Sequence, residues 1–168
     1  MAGRAVIRRA RAADAAAVAA LRRANRDYFA PWEPDAPDPE RAYTDEGVRA
    51  WLTDGADRFV ILDGGAIAGM TALTSVQRGP LQSAMISYFV DRGRAGRGLA
   101  TAAVDETVAF AFERLGLHRV EAGTATANVA SQRVLEKARF TRVGVLRQHL
   151  LIGGEWVDHV LWERLVGD

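Results

Sequence analysis

Residues 94–99 read Arg-Ala-Gly-Arg-Gly-Leu, two glycines and two arginines set between an apolar run (residues 85–90) and an alanine- and valine-rich stretch. Main-chain N–H groups of such a turn, joined by the unpaired N–H groups of a following helix's first turn, form a concave donor surface where negative charge is favoured. Gly96 and Gly98 let the backbone approach phosphate oxygens with no side chain intervening, Leu99 and Ala100 open the helix, and Arg94 or Arg97 can add a charge-assisted bond. A pyrophosphate fits this turn. The plain alternative is a tight surface turn with solvated charges. The spacing is neither the Gly-x-x-x-x-Gly-Lys-Ser/Thr of a Walker loop nor a Gly-x-Gly-x-x-Gly followed about 20 residues later by an acidic partner, so those nucleotide readings fail.

Composition narrows the chemistry. There is no cysteine, which removes disulfides, thiolate nucleophiles and cysteine-ligated zinc together, and His118, His149 and His159 lack the i, i+4 spacing of a helical zinc site. No metal is expected. With 22 basic and 21 acidic residues and a formal charge of +1, no overall field draws the chain to nucleic acid or an anionic membrane. Neither a signal-length apolar stretch nor about 18 apolar residues in succession occurs, so the expectation is a soluble, cytoplasmic protein. At 168 residues, 49% of them hydrophobic, residues 1–168 are expected to form one domain with a substantial core.

The elements that would position the turn follow from periodicity. Residues 5–10 read as a first strand, and Asp14 stands where the N-cap of an alanine-rich helix belongs, a helix expected to run to about Tyr28. Its Leu21, Ala24 and Tyr28 share one face, with Arg22, Arg23 and Arg26 on the other. The next stretch, Phe-Ala-Pro-Trp-Glu-Pro-Asp-Ala-Pro-Asp-Pro-Glu, carries four of the five prolines and must be a stiff loop ahead of a second helix at about 44–53. From Arg58, two-residue alternation around Asp-Gly-Gly predicts a hairpin, and residues 84–90 predict a further strand leading into the glycine turn. Val104, Val108, Phe112 and Leu115 recur on one face of a helix of about five turns that stops at Gly116. A strand near 118–126, a short helix and a hairpin turned at Gly153 and Gly154 close the chain. This order predicts an α/β (α+β) domain with a mixed sheet, not a Rossmann alternation, its ligand sitting where sheet neighbours diverge.

In this context residues 86–140 resemble the acetyl-CoA-binding half of the GNAT N-acetyltransferase superfamily. The Arg-Ala-Gly-Arg-Gly-Leu-Ala turn, the Arg-Val-Glu strand, the Asn-Val-Ala-Ser step and the Val-Leu-Glu-Lys-Ala-Arg-Phe ending are similar to the Rim-type branch, which acetylates N-termini of ribosomal proteins. Residues 25–34, Asn-Arg-Asp-Tyr-Phe-Ala-Pro-Trp-Glu-Pro, resemble a segment of the ribosomal-protein-alanine enzymes. Gly93 departs from the pattern, standing where the superfamily turn commonly begins with Arg or Gln. The resemblance implies a three-layer fold, a mixed and mostly antiparallel sheet of about seven strands with about four helices, and acetyl-CoA as cosubstrate without a metal.

It also implies roles. An N-terminal α-amine, with a solution pKa of about 7.7 to 8.0, needs only a modest base. Glu121 is the first candidate, although other branches place their glutamate two residues on, where Gly123 stands; pairing with Arg119 or Arg94 is its structural alternative. Glu33 is the rival, on a proline-stiffened lip that would attract a cationic amine. Main-chain amides around Phe89 and Val90 would polarise the carbonyl. Asn128 resembles the residue that contacts the pantetheine arm, and Ser131 the serine proposed to protonate the departing thiolate; both also suit a helix start. Leu150 stands where the branch has placed an acidic residue, with His149 beside it. Of the large polar aromatics Tyr88, His159, Trp32, Trp51 and Trp156, most read as packing residues; Trp32 and Tyr88 are expected, with Glu33, on the acceptor side. The implied acceptor is a protein or peptide N-terminus, those of ribosomal proteins included, with a small primary amine or a non-catalytic acyl-CoA module as alternatives, in a monomer or homodimer.

Overall fold

The computed structural model describes residues 6–168, so Ala5 of the expected first strand lies outside the described residues. Seven strands form one sheet in the order β1-β2-β3-β4-β5-β7-β6: β1 Val6–Arg9, β2 Asp57–Asp63, β3 Ala66–Gln77, β4 Ser83–Val90, β5 Arg119–Ala125, β6 Thr141–Ile152 and β7 Glu155–Leu165. Every neighbouring pair is antiparallel except β4 and β5. Among the described residues five α-helices flank it, where about four were expected: α1 Ala15–Ala24, α2 Arg26–Phe29, α3 Asp45–Leu52, α4 Leu99–Glu113 and α5 Val129–Lys137.

The extra helix arises from a break in the expected first one. Asn25 is buried and spends its side chain on long-range bonds, and the backbone leaves helical geometry there (φ −111°, ψ 12°). The buried face of α1 is also rotated from expectation. Ala15, Val18 and Ala19 are fully buried, which continues the same stripe to Arg22, while Ala24 is exposed. Asp14 occupies the N-cap position, yet a single tight turn at Ala12–Asp14 already gives it helical dihedrals, and its carboxylate turns back to Arg11 N–H (2.8 Å) and Arg8. Thr44 does cap α3, its hydroxyl accepting from Gly47 N–H at 3.1 Å.

Alternation along the strands sorts the core into two layers. On one face Leu73, Ala84, Ile86, Val120, Ala122, Val160 and Trp162 pack with Val104, Val108 and Ala111 of α4 and Leu135 of α5. On the other, Val60 and Met70 pack with α1 and α3. Residues Glu121, Gly123 and Ala125 of β5, with His159, Leu161 and Glu163 of β7, face away from α4 and α5. Among the described residues no helix is long and apolar enough to cross a membrane.

Candidate active site

The parallel ladder between β4 and β5 is short. Ser83, Ala84 and Met85 pair with Arg119, Val120 and Glu121, and there it stops. Beyond Met85, β4 stays with β3 as far as Val90 opposite Gly69, while β5 stays with β7 as far as Ala125 opposite His159. The sheet therefore opens into a wedge bounded by residues 86–90 and 122–125, whose facing main-chain groups have lost their ladder partners. Gly69 helps to set one wall: a Cβ there would sit 2.1 Å from the Phe89 carbonyl oxygen, so only glycine allows β3 this close to Phe89. Phe89 and Val90, expected to present amides to a carbonyl, lie on that wall.

The glycine turn lies at the end of the same wall. Gly96 (φ 74°) and Gly98 (φ 80°) are both left-handed, and open space surrounds the position a Cβ would take on each. Gly98 precedes the fifteen-residue α4, so the N–H groups of Leu99, Ala100 and Thr101 have no intrahelical acceptor. The turn thus combines main-chain donors, room to approach and the positive end of a helix dipole, the features an anion site requires. The arginines are otherwise engaged. Arg97 donates to Asp63 Oδ2 at 2.8 Å, and Arg94 donates to the Asp63 carbonyl at 3.2 Å, with Asp91 3.7 Å away. Both are braced against the β2–β3 turn, so the unengaged donors of this turn are its main-chain amides.

Where α5 begins, Asn128 Oδ1 accepts from Ser131 N–H at 3.1 Å, so the asparagine is a true helix cap. Ser131 Oγ lies 2.7 Å from the Tyr88 hydroxyl, joining α5 to β4 across the wedge. Tyr88, expected to meet the acceptor, instead faces α4 and α5, because its even position on β4 shares the side of Ala84 and Ile86. Burial pushes its phenol up to about 12, with the bond to Ser131 pulling the other way. It is a neutral hydroxyl at physiological pH, able to orient Ser131.

The opposite face carries the remaining expected residues. Glu121 sits at the closed end of the wedge, opposite Met85, and accepts from Arg119 Nε at 2.6 Å; Arg119 also pairs with Glu163. The pairing alternative is thus the one realised, with Glu121 held by a guanidinium that it shares with Glu163. Glu33 is also committed, bonded to Arg22 and 3.1 Å from the Tyr43 hydroxyl. Arg22 in turn lies over the rings of Tyr43 and Phe89 at 5.3 and 5.2 Å. Trp32 is 38% exposed beside this cluster.

Two contacts that local sequence patterns could not foresee lock the proline-rich lip in place. Asn25 Nδ2 donates to Asp91 Oδ1 (3.0 Å) while its Oδ1 accepts from Arg92 N–H (2.8 Å), tying the α1–α2 break to the end of β4. Asp35 accepts from Gly153 and Gly154 N–H (2.6 and 2.8 Å), and its own N–H donates to the Leu151 carbonyl (2.8 Å), so the lip is pinned to the β6–β7 hairpin. No group of three or more histidine, aspartate or glutamate side chains suited to a metal occurs among the described residues.

The arrangement matches known proteins throughout its length. A sequence model of the acetyltransferase (GNAT) domain matches residues 4–141. The probable N-acetyltransferase YjcK of Bacillus subtilis is 39% identical over 150 residues, covering 83% of this chain and 81% of that protein. The [ribosomal protein uS5]-alanine N-acetyltransferase of Escherichia coli is 28% identical over 147 residues, 82% of this chain and 75% of that protein. Mycobacterium smegmatis RimJ, solved in complex with CoA-disulfide, superposes with a TM-score of 0.92 at 31% identity, covering 98% of this chain and 83% of that one. With a wedge between parallel neighbours, a glycine turn feeding a helix and these relatives, the chain belongs to the GNAT family of acetyl-CoA-dependent N-acetyltransferases.

Proposed function

We propose that residues 1–168 act as one domain that moves the acetyl group of acetyl-CoA to the N-terminal α-amine of a protein, with ribosomal proteins as the leading class. The observation that carries the peptide reading is the lip of residues 25–35. It is anchored at one end to Asp91 and Arg92 beside the coenzyme turn and at the other to Gly153 and Gly154, so it bridges the two arms of the opened sheet. An extended chain end can enter beneath such a bridge, with Trp32 and the Glu33 cluster beside it. The likeness to enzymes named for ribosomal-protein alanine supports the same reading.

In this proposal amides of Gly96, Gly98, Leu99 and Ala100 bind the diphosphate, with Arg94 and Arg97 as auxiliary charge. Asn128 offers its Nδ2 group to the pantetheine arm. A Phe89 or Val90 amide, freed where the ladder ends, receives the developing oxyanion. The amine nitrogen bonds to the thioester carbon, the carbon–sulfur bond breaks, and the Ser131 hydroxyl, oriented by Tyr88, donates to the departing sulfur.

A panel of N-terminal peptides and small primary amines, with thiol release as the readout, tests this directly. Release with Ala- or Ser-starting peptides is the expected result. Release with small amines alone moves the acceptor class, and acetyl-CoA binding without any release makes the protein a sensor.

A further inference from the structure

We propose that His159 is the proton acceptor for the attacking amine, a role that rests on the amine-acetylation reading above. His159 lies on β7 opposite Ala125, in register with the far end of the wedge and on the face away from α4 and α5. It therefore stands across the sheet from Ser131 and Tyr88, so that the amine proton and the departing sulfur are handled on opposite sides of the wedge.

The ring is oriented for this task. Nδ1 lies 3.0 Å from the Val157 carbonyl, an acceptor only, so the proton resides on Nδ1 and Nε2 keeps its lone pair. Among the described residues Nε2 has no hydrogen-bond partner. The edge carrying Cδ2, and one bond further Nε2, turns toward Gly123: a Cβ on Gly123 would come 3.9 Å from Cδ2. Gly123 is exposed and lies beyond the last ladder pair of β4 and β5, as does the exposed Ser87. Absence of a side chain at 123 thus leaves the ring edge accessible from the wedge, although His159 itself is only 3% exposed.

Neighbouring charges do not compete for the position. On β6, His149 meets His159 edge-to-face at 5.5 Å. Glu121 on β5 and Glu163 on β7, both on this face, are taken by Arg119. Asp158 accepts from Gln148 N–H at 2.7 Å, where the β6 register shifts between Leu146 and Leu150. The lip contributes Glu33, held by Arg22, and Asp35, held by the hairpin amides. What sets His159 apart from the exposed His149 is the Val157 carbonyl, which fixes its ring with Nε2 unengaged. The step balances: an ammonium N–H gives its proton to Nε2, directly or across one water, the freed nitrogen pair forms the C–N bond, the C–S pair leaves with sulfur and takes the Ser131 proton, and the second amine proton, lost as the amide forms, restores the Ser131 hydroxyl through water. The imidazolium then loses its proton to solvent.

The test uses His159→Gln and His159→Ala in the full chain, with turnover measured against pH on the best acceptor from the panel of peptides and small amines. Near neutrality turnover is expected to fall about 100-fold, as loss of a general base does, with the acetyl-CoA Kd unchanged. The acid limb of the turnover profile should move to higher pH, and rate should return where the amine is neutral on its own. Turnover within about threefold of wild type with the limb unmoved overturns the assignment. Long-range 1H–15N spectra of the CoA-bound wild type decide it independently of any acceptor: the neutral ring should carry its proton on Nδ1, and a proton on Nε2 overturns the role even if the variants do not fold. If only small amines are turned over, the peptide reading falls while His159 is judged on those amines by the same criteria.

Discussion

The two sides of the opened sheet are built from different materials. On the side proposed for the coenzyme the available groups are mostly main chain: two left-handed glycines and the first amides of α4, supplemented by one Ser131–Tyr88 hydrogen bond. On the acceptor side the shape depends on side chains bonded over long sequence distances, Asn25 to Asp91, Asp35 to Gly153 and Gly154, and Arg22 to Glu33. A diphosphate has one geometry, which backbone can be fixed to meet. An acceptor varies, and side-chain pairs can be exchanged without disturbing the fold.

The coarsest way to break this contrast is Gly98→Asp. It places a non-glycine residue at φ 80° and a carboxylate at the phosphate-facing helix start. Strain and repulsion together should weaken acetyl-CoA about 100-fold by calorimetry. Gly98→Ala, carrying the strain alone, should weaken it about fivefold. Equal affinity in both variants would mean that the turn does not hold the diphosphate. Next in size, Ser131→Ala should lower turnover about 30-fold with acetyl-CoA affinity retained, because the hydroxyl acts after binding. Equal turnover would remove Ser131 from sulfur departure.

This contrast also explains what the sequence made legible. Gly96, Gly98 and the start of α4 were readable because a positive-φ turn and a helix start leave local marks, and the Asn128 cap was readable for the same reason. The hairpins at Gly64–Gly65 and Gly153–Gly154 were equally local. Arg22 was misplaced on the solvent face because an arginine above Phe89 looks, from helical spacing alone, like any surface arginine. At the Asn25 break the side chain bonds back to the Leu21 carbonyl, but its other partners, Asp91 and Arg92, are 66 and 67 residues away and leave no local mark. Glu121 and Tyr88 are read from the sequence as polar groups of the site, but which helix layer each strand face meets, and where the β4–β5 ladder ends to open the wedge, are tertiary properties.

A sharper test of the acceptor side is Asp35→Ala. It removes two charge-assisted bonds to the hairpin amides without touching the coenzyme turn. The lip should loosen, raising the KM for a peptide acceptor about fivefold to tenfold while the acetyl-CoA Kd stays constant. A parallel rise in both constants would show that the two sides are mechanically one, contrary to the division drawn above.

The smallest effect concerns Tyr88, where the two sides touch. Burial raises its phenol from the usual 10 to about 12, so the folded state holds this proton more tightly than the unfolded chain. The sign follows from linkage: stability from the neutral phenol is complete below about pH 10 and declines as pH rises from there toward about 12, since the unfolded chain releases the proton first. Tyr88→Phe should therefore flatten the alkaline fall in melting temperature and remove the last tyrosinate transition in ultraviolet titration. Its turnover should drop only about threefold, because Ser131 remains and loses only its orienting partner. If Tyr88 instead ionised near the usual 10, its hydroxyl would be in contact with water, and the Ser131 pair would belong to the acceptor side of the wedge rather than to the coenzyme side.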